Sequence, residues 1–183
     1  MGREFHGNSQ ALVTSRKRHN TLEELETQRV CPLIEWKKSC RVAKVMQRDR
    51  YGCGVACAAM VAGRPYADVR RVFADCGLEK KKRPFATNFS ELRHCLEQLG
   101  IRSERRRWSG WDEIDGLGIV AVSSSAGGRN WHWVVAERHE VFGVVLHDPD
   151  YDLPSFSAKE PEGVHCHPFT EYQPQKSWIK ILA

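Results

Sequence analysis

Long apolar runs are missing from this 183-residue sequence, and none approaches the roughly 20 residues that a membrane-spanning helix needs. The mean hydropathy is −0.52. The N-terminal stretch MGREFHGNSQ has no apolar core of the kind found in a cleavable signal peptide. We therefore expect a soluble, cytoplasmic protein without a membrane span. Signal-less secretion as an effector would leave the same sequence pattern.

Low-complexity segments and internal repeats are also missing, which argues against fibrous and solenoid architectures. The composition, with 41% hydrophobic and 28% charged residues, is that of an ordinary globular domain. At this length we expect one domain with an appendage. We assign residues 1–44 to a partly helical N-terminal extension and residues 45–183 to the main domain.

Strong charge is absent, because the formal net charge is only +5. The basic residues occur in small clusters without interleaved aromatic residues, a pattern typical of solvated loops and faces. We therefore expect no nucleic-acid partner. The three clusters are Arg16–Arg18, Lys80–Arg83 and Arg105–Arg107.

Cysteine is present, but not in a pattern that suggests disulfides or metal fingers. The seven residues are an odd number at irregular spacings, and no signal peptide points to an oxidising compartment. The His165–His167 stretch, HCH, has no second ligand pair at finger-like spacing. We therefore predict no metal and no cofactor. The cysteines are Cys31, Cys40, Cys53, Cys57, Cys76, Cys95 and Cys166.

Helical periodicity dominates the first half of the chain and strand patterns the second half. The apolar spacing and terminal glycines predict helices over 21–30, 53–63, 65–77 and 88–100. Strands are predicted over 118–124, 132–138, 141–149 and 177–182, with a hairpin turn around His139 and Glu140. Helices followed by strands indicate an α+β fold in which the helices pack on an antiparallel sheet.

The stretch YGCGVACAAMVAG places Cys53 between two glycines at the start of a predicted helix. A thiol becomes a strong nucleophile as a thiolate, which a helix N-terminus and a nearby imidazole both favour. The flanking glycines would leave the backbone at Cys53 open and uncrowded. Cys57, one helical turn later, is expected to pack in the core.

Partners for this thiol are available elsewhere in the sequence. His132 opens one predicted strand and Asp148 ends the next, so a hairpin would bring both to the same edge. Asp150 and Asp152 are alternative orienting carboxylates. Gln47, six residues before the cysteine, would share an oxyanion hole with the Cys53 backbone N–H. His147 should point to the sheet face opposite Asp148.

The ordered set Q-x5-C-G, small-residue helix, HWVV and HDP resembles the papain-like peptidase domain of bacteriocin exporters. That family cleaves leader peptides after a double glycine. The resemblance covers Val45 to the C-terminus and implies a papain-like fold and a stand-alone cysteine peptidase. It implies that Cys53 is the nucleophile, His132 the general base, Asp148 the orienting group and Gln47 the oxyanion donor.

The resemblance also implies a peptide or protein substrate, with glycine at the cleavage site. Two other functions remain open on the sequence. The first is a related acyl-transfer reaction on the same triad, such as transglutamination, deamidation or isopeptide cleavage. The second is a non-catalytic module that binds a peptide in the same cleft.

Overall fold

Helices precede strands along the chain in the computed structural model, which describes residues 32–123 and 131–182. Short 3-10 turns lie at Leu78–Lys80, Trp111–Glu113 and Phe169–Glu171. The helices are α1 (Pro32–Ser39), α2 (Cys53–Ala62), α3 (Tyr66–Asp75) and α4 (Phe89–Gln98). The strands are β1 (Ser103–Arg107), β2 (Leu117–Ser123), β3 (Trp131–His139), β4 (Gly143–His147), β5 (Ser155–Phe156) and β6 (Gln173–Ile181).

The strands form one sheet in the order β1-β6-β2-β3-β4-β5, in which each neighbouring pair is antiparallel. This confirms the predicted α+β class with helices on an antiparallel sheet. The three arginines of edge strand β1 are exposed, and charge on an edge discourages pairing with another chain. Within the described residues, no helix is long and apolar enough to span a membrane.

The two faces of the sheet have different coverings. Trp133 and Val135 of β3 join the core beneath α2, α3 and α4. The alternate residues Val134 and Ala136 face a second core, which loop residues such as Ile114 cover. Because side chains alternate along a strand, this division assigns every position of β3 to the helical or the loop-covered face.

Helix α2 is the most deeply placed helix, and its sequence explains why. All of Gly54–Met60 is buried, which small side chains permit by letting the helix approach both the sheet and its neighbours. Gly63 ends it with a left-handed φ of 61°, the conformation that favours glycine. The predicted stop is therefore confirmed.

The predicted strands and the predicted helices after residue 52 are confirmed, with small shifts at their ends. The β3–β4 turn occupies 140–142, because His139 still pairs with Gly143. Strands β1 and β5 were missed, since SERRR has a surface composition and SF is too short to show a pattern. The helix predicted at 21–30 lies outside the described residues.

Helix α1 lies within the segment assigned to the N-terminal extension. Its Trp36 is buried against Val145 and Phe156, and the Trp36 and Phe156 rings meet edge-to-face at 5.2 Å. The chain then continues along the sheet, where the backbone N–H of Arg41 donates to the Glu137 carboxylate at 2.6 Å. Residues 36–41 are therefore part of the packed structure.

Substituting Gly54→Ala should destabilise the fold. A Cβ there would lie 2.5 Å from Thr87 Oγ1, which accepts a hydrogen bond from the Trp133 indole. Overpacking of this kind costs about 1–3 kcal/mol, which outweighs the roughly 1 kcal/mol that alanine adds in helix propensity. Denaturant titration should show a lower unfolding free energy. Gly116→Ala is the control, because its Cβ would meet only an Arg41 guanidinium nitrogen at 3.8 Å.

If the denaturation midpoint of Gly54→Ala were unchanged, like that of the control, the α2 N-terminus would not depend on the close approach of Gly54 to Thr87.

Candidate active site

A cleft of about 320 Å³ opens at the N-terminus of α2. Its lining includes all four residues singled out by the sequence: Gln47, Cys53, His132 and Asp148. They come from the segment before α2, the start of α2, the start of β3 and the end of β4. The fold therefore brings together residues that span 101 positions in the chain (148 − 47).

Cys53 is the first residue of α2 and is partly exposed to the cleft. The first backbone N–H groups of a helix have no partner within it, and the helix dipole favours negative charge there. The glycines beside Cys53 are crowded, contrary to the expectation of an open backbone. A Cβ on Gly52 would collide with the Tyr66 hydroxyl, and one on Gly54 with Thr87.

His132 and Asp148 form a short polar contact in the cleft. The His132 Nε2 atom lies 2.7 Å from Asp148 Oδ1. Cys53 also acts on the ring, because it is one of the groups that raise the His132 pKa. The carboxylate of Asp148 engages Nε2, so Nδ1 is the ring nitrogen left available, and Asp150 Oδ2 lies 4.0 Å from it.

Asp148 is 1% exposed, and its buried carboxylate is satisfied by three donors. Beyond His132, Oδ1 accepts from the Asp150 backbone N–H at 2.8 Å, and Oδ2 accepts from the Tyr172 hydroxyl at 3.1 Å. These contacts fix both oxygens, so the carboxylate has little freedom to rotate away from the imidazole.

The pKa values of this pair move apart. Burial opposes charge on His132, but the hydrogen bonds to Asp148 and Cys53 outweigh it and raise the pKa to about 10. Burial likewise opposes charge on Asp148, yet His132 and the other donors lower its pKa. Both shifts favour the charged forms, an imidazolium beside a carboxylate.

The alternative orienting residues are less well placed. Asp150 Oδ2 lies 4.0 Å from His132 Nδ1 and its side chain is half exposed. Asp152 is exposed, and its carboxylate is not among the groups that shift the His132 pKa. Of the three carboxylates weighed from the sequence, Asp148 makes the short contact.

Gln47 is held in place through the backbone. Its N–H donates to the Pro149 carbonyl at 2.9 Å, which ties the segment before α2 to the end of β4. Asp49 anchors the same loop by accepting hydrogen bonds from the Tyr66 hydroxyl at 2.8 Å and from Arg70 at 3.2 Å. The Gln47 Oε1 atom is buried without a hydrogen-bond partner among the described residues. The Gln47 side chain therefore lines the cleft, and no hydrogen bond from another described residue holds its amide oxygen.

Sequence reasoning did not identify Tyr172, Asp49 or Tyr66. Tyr172 lies 24 residues beyond Asp148, and Tyr66 lies 17 residues beyond Asp49. Neither pair follows a helix or strand period, so no local signal marks them. Their roles depend on loops that return to the cleft from distant parts of the chain.

Two residues assigned to other roles lie where the sequence suggested. Cys57 is fully buried in the core, and burial raises its pKa well above the ordinary thiol value. His147 pairs with Val135 on the helical face of the sheet and contacts Glu137 rather than the cleft. His167 of the HCH stretch stacks on the Tyr151 ring at 5.0 Å.

Charged side chains of both signs line the cleft. Arg50 and Arg83 belong to the lining and lie over the ring of Tyr51, at 5.4 and 5.8 Å from its centroid. Asp150 and Glu171 add acidic groups to the lining. An extended peptide bound here would therefore meet both cationic and anionic groups.

Replacing Asp148 with Asn should lower the pKa of His132. In the wild type, NMR titration of the imidazole should show a midpoint near 10, because the carboxylate stabilises the charged ring. Since the unperturbed value is 6.5, the stability contributed by His132 is complete below about pH 6.5 and is lost as pH rises through about 10. In Asp148→Asn both the midpoint and this loss should move to lower pH.

Asp150→Asn is the matched control, because that carboxylate lies 4.0 Å from the ring and should change the midpoint less. If the His132 titration midpoint fell further in Asp150→Asn than in Asp148→Asn, Asp150 would be the orienting group instead.

Comparisons with known proteins give a fold and no family assignment. Neither a protein-family model nor a curated protein matches the sequence. Among solved structures, the chain is similar to the peptidase domain of Streptococcus ComA, a bifunctional ABC transporter of a quorum-sensing pathway. The TM-score is 0.54 at 19% identity, over 75% of this chain and 96% of that domain.

A double-glycine motif protease from an AMS/PCAT transporter, solved with its leader peptide, is also similar, with a TM-score of 0.49 at 17% identity. That match covers 77% of this chain and 91% of that chain. From the ComA comparison and the sheet topology, the chain has the α+β papain-like fold of a peptidase domain.

Proposed function

We propose that this protein is a cysteine peptidase that hydrolyses a peptide bond through Cys53, His132 and Asp148. The observation that carries the proposal is that one cleft is lined by Cys53, His132 and Asp148, with His132 Nε2 2.7 Å from Asp148 Oδ1. A buried structural cysteine needs no such partners. The likeness in fold to a peptidase domain supports the same reading.

In the first half of the reaction, the Cys53 thiolate attacks the substrate carbonyl carbon while His132, which holds the thiol proton, is the imidazolium. The C–S bond forms and the carbonyl oxygen becomes an oxyanion. The tetrahedral intermediate then collapses, and the C–N bond breaks as the imidazolium gives its proton to the leaving amine. Neutral His132 then takes a proton from water, which hydrolyses the thioester and frees Cys53. Asp148 keeps Nε2 engaged throughout, so Nδ1 faces the reacting atoms.

The oxyanion of each tetrahedral intermediate needs donors beside the sulfur. The Cys53 backbone N–H lies at the start of α2, where helical N–H groups lack intrahelical partners. We assign the second donor to the Gln47 side-chain amide, whose backbone is tied to Pro149 beside the triad.

We propose a peptide or protein substrate with glycine at the cleavage site. The double-glycine preference rests on the motif resemblance of Q-x5-C-G, HWVV and HDP. Trp131 gives the cleft an aromatic lining residue, which stacks on Phe89 at 5.2 Å.

Activity should depend on these residues to different degrees. Cys53→Ala and His132→Ala should abolish cleavage of a Gly-Gly peptide panel, since each removes a group that makes or breaks bonds. Gln47→Ala should lower kcat about 10²–10³-fold with little change in KM, as for loss of one oxyanion donor. The assay is peptide cleavage followed by mass spectrometry.

Cys166→Ser is the control, because Cys166 is partly exposed and is not among the residues that line the cleft. Retained cleavage by Cys53→Ala would contradict the mechanism.

The same assay separates the peptidase from its rivals, which share the first half-reaction. Hydrolysis gives two fragments that together gain one water. Deamidation adds about 1 Da to an intact glutamine-containing peptide, and cross-linking joins two peptides with loss of ammonia. Peptide binding with no mass change in any panel member would favour a non-catalytic binding module.

A further inference from the structure

A second group of chemically reactive side chains lies on the helical face of the sheet, away from the cleft. Glu137 of β3 and His147 of β4 are diagonal neighbours, because Glu137 pairs with Val145 and His147 pairs with Val135. Cys40, immediately after α1, approaches both. One ligand atom from each of the three residues lies within 4.8 Å of the other two.

Two of these side chains, those of Glu137 and His147, are almost completely buried. Glu137 is 1% exposed and His147 is 3% exposed. The Glu137 Oε2 and His147 Nε2 atoms lie 3.4 Å apart as a buried ion pair, and neither atom has another hydrogen-bond partner within the described residues. Buried polar atoms are normally hydrogen-bonded, so the two atoms retain ligating capacity that a cation between them would use.

The other oxygen of Glu137 is already used. Its Oε1 accepts the Arg41 backbone N–H at 2.6 Å, which fixes the carboxylate and leaves Oε2 directed at His147. The Cys40 side chain packs against the same buried cluster as Trp36 and is partly exposed. A cation can therefore reach the group from the side of Cys40.

The donor set decides which cation fits. A thiolate, an imidazole and a carboxylate suit zinc, whereas calcium and magnesium prefer oxygen ligands alone. Bond lengths of about 2.0–2.3 Å around a tetrahedral ion put neighbouring ligand atoms roughly 3.4–3.7 Å apart. The observed separations of up to 4.8 Å require a contraction of about 1 Å, within reach of side-chain torsions.

We propose that Cys40, Glu137 and His147 bind a zinc ion, with water as the fourth ligand. Binding displaces the proton of the Cys40 thiol and, where His147 is charged, the proton of its imidazole. The ion joins the segment after α1 to β3 and β4. Because His147 directly precedes Asp148, the site also fixes the strand end that carries the orienting carboxylate.

Metal content of purified variants tests the proposal. Protein stripped with EDTA and dialysed against ZnCl₂ should retain one zinc per chain in the wild type. Cys40→Ser should lose it, and this variant is chosen because Cys40 is partly exposed and its replacement leaves the Glu137 contact to Arg41 intact. Cys166→Ser is the matched control, since Cys166 packs at the same cluster.

Cys53→Ala is a second control, which tests whether zinc binds instead at Cys53 and His132. This variant should also retain zinc. Zinc retained by Cys40→Ser at the wild-type level, or lost in Cys53→Ala, would overturn the proposal.

A second measurement uses the wild type and does not depend on how a variant folds. ZnCl₂ should slow alkylation of Cys40 at least tenfold and leave Cys166 unchanged, as mapped by mass spectrometry. Cobalt in place of zinc should give a near-ultraviolet thiolate charge-transfer band. Equal alkylation of Cys40 with and without ZnCl₂ would overturn the assignment.

Discussion

The buried charge of Asp148 is the interaction on which the rest of the site depends. A carboxylate that is 1% exposed is unfavourable unless hydrogen bonds replace its water. Here His132, Tyr172 and the Asp150 backbone supply them. These donors come from β3, from the segment before β6 and from the loop after β4, so one satisfied carboxylate requires that three parts of the chain be correctly placed.

Close backbone approach is the second requirement, because the proposed mechanism needs the Cys53 thiol beside the imidazole that Asp148 holds. Helix α2 is built from small residues and lies deep against the sheet, and Gly52 and Gly54 let its N-terminus meet Tyr66 and Thr87. The glycines thus position Cys53 by fitting into crowded surroundings. The loop before α2 is fixed in turn by the Gln47 backbone bond to Pro149.

Much of this arrangement is predictable from sequence where it depends on local patterns. Apolar periodicity and terminal glycines marked α2, α3 and α4, and alternating or continuous apolar runs marked β2, β3 and β4. The contacts of Tyr172 and the Cys40, Glu137 and His147 group were not predictable, because they join residues without any shared period. Strand β1 was missed because its run of three arginines is typical of an exposed segment. It joins the sheet through backbone pairing with β6, which leaves no apolar pattern in the sequence.

Selective alkylation of the folded protein tests the central claim most directly. With sub-stoichiometric iodoacetamide at roughly pH 6, ordinary thiols, whose pKa is about 8.5, react slowly. The account predicts that Cys53 is labelled first and that His132→Ala removes this preference. Labelling of Cys53 no faster than the other partly exposed cysteines that the structure describes, Cys40, Cys76 and Cys166, would contradict it.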